Sequence, residues 1–434
     1  MHRRILCLLL YLGSWPALAE PNVALSPIKF PPLPLGVLTF PNGKAMNLTI
    51  GVGSGAFHLA SEPPGRIWLI TDRGPNIACS EARDLIGLDE AAMCGGDASG
   101  QIFPLPGFSP TIYGVDVGSD NIVRVSVTLP LKGKSGKPVS GLPSARADGS
   151  AEAAFDANGR QLPFSTSGLD TEALVKLADG SFWVADEYGP SLALVRSDGT
   201  IVKRLVPKGL AADLPEADYE VVEALPEILL RRQRNRGIEG LAISPDERFI
   251  YVMMQSPLAN PDSKAYEQSV NVRILKLSRE TGALVGEYLY PLDAPESFRR
   301  DNMKKAREQK DVRLSEMTAV AEDRLLVLER IEKSSRIYAI DLKSAQPIDQ
   351  RFDDPATSPS LEQMSEEALA AASVPRLAKT IIVEGDDLVG MPVKTEGMAL
   401  ISDRELILIN DNDFSVTGVE TRMVRLTFGW PLLK

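Results

Sequence analysis

Four glutamates each open an apolar run in this chain. Glu172 precedes Ala-Leu, Glu239 precedes Gly-Leu, Glu316 precedes Met-Thr-Ala and Glu396 precedes Gly-Met-Ala. Each run leads through a turn into a second apolar run that ends in polar residues: Asp186-Glu187, Gln255, Glu329-Arg330 and Asn410-Asp411-Asn412-Asp413. A fifth unit has Ser54-Gly55 in place of the glutamate and ends in Asp72-Arg73. In an antiparallel hairpin the start of one strand lies beside the end of its partner. Glu172 is therefore expected beside Asp186, Glu239 beside Gln255, Glu316 beside Glu329, and Glu396 beside Asn410. Carboxylates gathered this way need protons, arginines or a hard cation to compensate them. Calcium is held by carboxylate, amide and water oxygens, and Glu172, Glu239, Glu396, Asp186 and Asp411 are its expected ligands. A general base is expected among Glu172, Glu239, Glu316 and Glu396, with Arg73 or Arg330 facing a developing oxyanion. Asp72, Glu187, Arg236, Gln255, Glu329 and Asn410 would contact the ligand. The competing reading is that strand-start glutamates clip neighbouring sheets together through backbone hydrogen bonds. The second polar set at the same end favours a site.

Histidine chemistry is nearly excluded. The chain has two histidines, His2 and His58, so a multi-histidine zinc site cannot form, and a Ser-His-Asp triad would need His58.

The elements that must position these residues read as a repeated hairpin. Gly168–Val202 shows it best: two apolar runs around Ala178-Asp179-Gly180, then two more around Ser197-Asp198-Gly199. Asp-Gly between apolar runs is a hairpin signal because glycine tolerates positive φ. Related units begin near Gly51, Arg236, Leu314 and Lys394. Five such units predict an all-β fold, a β-propeller of five to six four-stranded blades with short helical insertions. In a propeller all innermost strands run the same way, so the glutamates converge on one mouth of the central channel. Residues 20–35 are expected to form a proline-rich extended lead-in, and strands near 36–50 to complete the last blade of a single 36–434 domain. Tyr219, Val222, Leu225, Ile228 and Leu229 are spaced for an amphipathic helix over 213–234 that ends in the basic run RRQRNR. Further helical insertions are expected over 295–311 and 356–375.

The net charge of −11 argues against nucleic acid or an anionic membrane as the main partner. Residues 1–19 read as a secretory signal: Arg3 and Arg4, an apolar centre, then Ala17-Leu18-Ala19. No later run is apolar enough for a membrane helix, so an exported monomer, periplasmic or secreted, is expected. Beyond the signal the remaining cysteines are Cys79 and Cys94, for which a disulfide is expected, contributing about 3 kcal/mol by loop entropy.

DRGPN (72–76), LDTEALV (169–175), ADEYGPSL (185–192), NRGIEGLA (235–242), MQSPL (254–258) and KTEGMAL (394–400) resemble the secreted phytase-like family, also called esterase-like activity of phytase. The resemblance runs from about Gly51 to Phe414. It implies a propeller related to calcium-using phosphate-ester hydrolases. The chain lacks the dense run of aspartates and lysines with which calcium phytases load several ions against a polyphosphate. The function expected is a calcium-dependent hydrolase of a phosphate-bearing or carboxylic ester. The alternative is a non-enzymatic periplasmic propeller that binds a small ligand or a protein.

Overall fold

The computed structural model describes residues 23–146 and 151–432. The expected signal over 1–19 lies outside the described residues. β1 (Val23–Ile28) is followed by a hairpin of β2 (Pro34–Thr39) and β3 (Ala45–Thr49). The first large sheet holds β4 (Gly55–Phe57) and β5 (Arg66–Ile70). A loop then carries β6 (Ile77–Ala78) and β7 (Gln101–Ile102), and β8 (Thr111–Val117) and β9 (Val123–Pro130) complete the sheet. β10 (Ala154–Phe155) pairs in parallel with β7. The second sheet is β11 (Thr171–Lys176), β12 (Phe182–Asp186), β13 (Ser191–Val195), β14 (Ile201–Pro207) and β15 (Glu220–Leu225). The third is β16 (Ile238–Ile243), β17 (Phe249–Met254), β18 (Asn271–Ser278) and β19 (Leu284–Pro291). The fourth is β20 (Arg313–Ala321), β21 (Arg324–Arg330), β22 (Ser335–Asp341) and β23 (Lys379–Glu384). The fifth is β24 (Thr395–Ser402), β25 (Glu405–Asn410) and β26 (Met423–Phe428), with β1 as its outer strand.

The hairpins form where the sequence places positive-φ residues. Gly180 and Gly199 sit at φ 86° and 84°, and the Asp179 side chain accepts from Ser181 N at 2.9 Å to brace its turn. Strand alternation then gives every sheet two apolar faces. Phe182 and Val184 pack against Trp68 and Ile112 of the first sheet, while Trp183 and Ala185 pack against the third. Leu325 and Val327 likewise join the third sheet's core, and Leu326 and Leu328 join the fifth's. Ile407 and Ile409 of the fifth sheet meet Ile67 and Leu69 of the first, which closes the cycle. Burying each such side chain stabilises by roughly 1.5–3 kcal/mol. The opening strands β4, β11, β16, β20 and β24 touch in the same cyclic order, β24 meeting β4.

Three expectations change. Residues 213–234 hold no long helix. Glu220–Leu225 is a strand that pairs in parallel with β14, flanked by single helical turns at Ala211–Asp213 and Glu227–Arg231. Val221 and Val222 favour extended backbone, and Pro226 forbids the helix from running on. The segment 20–35 is not merely a lead-in, since Val23–Ile28 pairs with β26. Consequently the strands near 36–50 do not complete the last sheet; β2 and β3 pair with each other. The insertions at 295–311 and 356–375 carry short helices, Arg299–Asn302 and Glu366–Ala371. No described helix is long and apolar enough to cross a membrane. Cys79 and Cys94 form a disulfide.

Candidate active site

Four of the five innermost strands break register near their starts, and the break decides where the acid points. The ladder slips between Thr171 and Ala173, between Ile238 and Gly240, between Leu314 and Glu316, and between Thr395 and Gly397. The extra residue of a bulge leaves the ladder and its side chain is re-aimed. That residue is Glu172, Glu239 and Glu396 in three sheets, but Ser315 in the fourth. Glu316 falls one place later, where the other strands have Ala173, Gly240 and Gly397. It therefore does not join the mouth beside Glu329, as its place in the sequence suggested. The ring is tight at this level: a Cβ on Gly397 would lie 2.9 Å from Ala56 Cβ. Glu316 is fully buried there. Its carboxylate accepts from Ala56 N at 3.3 Å and Met317 N at 2.9 Å, with the Leu241 backbone a further donor. It clips the first, third and fourth sheets, and burial pushes its pKa well up.

The mouth gathers other acids. Oxygens of Asp72, Asp170 and Glu172 lie within 4.8 Å of one another. Burial, then the charges of Glu239, Asp170, Glu187 and Asp72, hold the Glu172 carboxyl well above the usual range. Asp72 is raised by burial and by Asp170, against the pull of Gly74 N and Arg73. Asp170 is pushed up to about 6 by burial, with Arg73 opposing. Glu187 rises to about 7 through burial and Asp170, held back by Arg236. Glu239, raised by burial, then by Glu187 and Glu396, receives a hydrogen bond from the Gln255 side chain. Glu187 Oε1, Glu239 Oε2 and Gln255 Oε1 are buried without a hydrogen-bond partner, on residues 3%, 3% and 4% exposed. Buried polar atoms left this way are uncommon and point to an absent ligand. Asp411 completes the rim, raised by burial and by Asp413 and Glu396, with Lys394 Nζ 3.6 Å from its Oδ2. A cavity of about 330 Å³ opens beside Asp72, lined by Asn76, Gln101, Lys394, Asp413 and Phe414, with Glu81 of the disulfide-clipped loop at its edge.

The cations are largely committed. Arg73 is buried between Glu152 and Asp170, its Nε 3.3 Å from Asp170 Oδ2. Burial opposes its charge, but Asp170, Glu152 and Asp72 outweigh that and raise its pKa further. Arg330 donates to Ser315 Oγ at 2.6 Å and Ile331 O at 2.7 Å, and it pairs with Glu396. Arg236 donates to Asn235 O at 2.8 Å and faces Tyr266, Glu187 and Glu239.

Three more of the anticipated residues, besides Glu316, serve elsewhere. Asp186 is ion-paired to Arg204 and accepts from Asp170 N at 3.3 Å and Gly189 N at 3.2 Å, so it supports the loop that carries Asp170. Glu329 accepts from Tyr290 Oη, Asp293 N and Lys379 Nζ at 2.6–2.7 Å. Alternation explains this: Arg330 faces Glu396, so Glu329 faces the opposite way. Asn410 gives its amide to Asp411 O and Glu420 O. Asp170, Glu152, Arg313 and Lys394 were not anticipated. Asp170 had a signal, standing two residues before Glu172. Glu152 had none, since it lies in a Gly-, Ser- and Ala-rich stretch without periodicity.

Asp72, Asp170 and Glu172 offer hard oxygens at mutual distances that suit a calcium ion. The excess of negative charge among buried acids is what such an ion would relieve.

One relative is an uncharacterized secreted protein of Arthroderma benhamiae, 31% identical over 168 residues, which cover 35% of this chain and 31% of that protein. The chain thus spans about a third of the length of the curated relative it matches. Among solved structures, a PQQ-bound aldose sugar dehydrogenase from Streptomyces coelicolor has 9% identity and a TM-score of 0.33, covering 94% of this chain and 99% of its own. A virginiamycin B lyase from Staphylococcus aureus has 10% identity and a TM-score of 0.31 over the same shares. The family model for esterase-like activity of phytase matches residues 53–414, most of the chain, and the protein belongs to this phytase-like family.

Proposed function

We propose that the protein is an exported, monomeric, five-bladed β-propeller that hydrolyses a phosphoric or carboxylic ester with calcium at the mouth of its ring. The observation that carries this reading is the triad of half-buried Asp72 and buried Asp170 and Glu172, beside carboxylate oxygens without partners. These three would hold the ion, which when bound polarises an ester oxygen and acidifies water. Arg73 fixes Asp170, and Asp186 fixes the same loop from behind. Glu239 or Glu187, each with a buried unpartnered oxygen, takes a proton from the attacking water. Arg330 orients Glu396, which with Asp411 forms the far rim. With Arg73 engaged by Glu152, Asp170 and Asn235, and Arg330 by Glu396, Ser315 and Ile331 O, these arginines position acids rather than receive an oxyanion.

The purified protein is expected to cleave a chromogenic phosphate or acyl ester, with EDTA abolishing turnover and calcium restoring it. Asp170→Asn with Glu172→Gln should abolish calcium binding by calorimetry and lower turnover at least 100-fold. Full activity in that double variant would sink the reading. Tight ligand binding without turnover on either ester would favour a binding propeller instead.

A further inference from the structure

We infer that Arg236 and Arg313 form an oxyanion subsite at the mouth, so that the ester bound there carries a phosphoryl or carboxylate group on the side away from Asp72, Asp170 and Glu172. The inference rests on the mouth being the ligand site and adds the charge of the ligand. Arg313 opens β20 and lies directly across the ladder from Arg330. Arg330 has Ser315, Ile331 and Glu396. Arg313 Nε, by contrast, is buried with no hydrogen-bond partner, and so is Arg236 Nε. The nearby buried arginines Arg73 and Arg204 each meet a carboxylate within ion-pair distance. A guanidinium presents a planar fork of donors suited to a phosphoryl or carboxylate group, and a buried N–H without an acceptor is costly.

The electrostatics agree with the geometry. Burial, then the charges of Arg236 and Arg330, push the Arg313 guanidinium down to about 9, and Glu396 and Glu239 only partly compensate. Arg236 donates to Asn235 O and hydrogen-bonds Tyr266, and it faces Glu187 and Glu239, which leaves its Nε for a ligand. Leu314 N donates to Gln255 O at 2.9 Å, which fixes the start of β20 against the end of β17. Like charges placed side by side on a rigid frame are relieved by an anion between them. The mouth thus carries the triad Asp72, Asp170 and Glu172 on the first and second sheets, and guanidinium groups where the third and fourth meet. An ester whose reacting end sits at the acids and whose charged end sits at the arginines would span it.

Calorimetric titration of the full-length protein with inorganic phosphate, and separately with acetate, tests this with and without calcium. At least one anion should bind, and Arg313→Lys and Arg236→Lys, which keep the charge but lose the fork, should each weaken it at least tenfold. Arg236→Gln/Arg313→Gln should remove binding. Unfolding midpoints of the lysine variants check that the fold is kept. Phosphate bound in preference to acetate names a phosphoryl group, and the reverse names a carboxylate. Failure of both anions to bind, or equal binding by the wild type and the lysine variants, overturns the subsite. Loss of the calcium reading would show separately, as absent calcium binding with phosphate or acetate still held by the arginines.

Discussion

Glu316 stands where Ala173, Gly240 and Gly397 stand in the neighbouring strands, and one residue of register separates it from the mouth. Glu316→Ala removes the acceptor for buried donors from the first, third and fourth sheets. A buried donor left unpaired costs on the order of 1–3 kcal/mol, so a urea midpoint should fall by several such contributions combined. Burial holds Glu316 well above the usual carboxylate range, so Glu316→Gln, which keeps an acceptor, should stay within about 1 kcal/mol of the wild type and retain turnover. Equal loss in both variants would contradict the clip. Four glutamates opening four apolar runs look equivalent in the sequence. The bulge that distinguishes them depends on the partner strand, which a linear pattern does not encode. Of the two readings of such glutamates, the clip describes Glu316, and the proposed site takes Glu172 and Glu239.

The insertion between β22 and β23 is held to the third sheet by Arg273 together with Asn271. Arg273 Nη1 lies 2.7 Å from Glu287 Oε1 and 3.8 Å from Asp353 Oδ1, and its Nε lies 3.1 Å from Glu362 Oε1. Asn271 Nδ2 donates to Leu361 O and Met364 O. Burial, then the hydrogen bond shared with Glu287, push Asp353 up to about 8. An unfolded aspartate titrates near 4, so the folded state binds this proton more tightly. The stability it contributes is full below about pH 4 and is lost as pH rises through about 8. Asp353→Asn, whose amide still donates to Glu287, should flatten that fall, so the gap between wild-type and variant melting temperatures shifts in the variant's favour from pH 4 to 9. Parallel curves would refute it. Strands with Asp-Gly turns were readable because local chemistry sets them. The strand Glu220–Leu225 was not, because its apolar spacing also fits a helix and the exposed edge of β14 decided between them.

The cycle of sheets closes through β1, with Val23 opposite Phe428 and Ile28 opposite Met423. Without it β26 would present an open edge, a template for pairing with another chain. A variant lacking residues up to Ile28 should therefore unfold at lower temperature and associate, as seen by light scattering. A monomer of unchanged melting temperature would show that β1 is dispensable. The repeat and its cyclic logic were legible because five hairpins recur. Closure by an amino-terminal strand was legible too, but not which strand, because a proline-rich start hides β1, whose pairing partner β26 lies at Met423–Phe428.

The pairing of β1 with β26 also sets an order on biosynthesis. β1 waits for β26, and in between the first four sheets can assemble while the fifth cannot. Such long-range pairing folds slowly, since a large loop must close before the contact rewards it. During that interval the nascent ring is incomplete, the mouth lacks Glu396 and Asp411, and β1 is free to pair wrongly. The ring thus cannot close until β26 has been made, and until then a holding chaperone would find its target in β1.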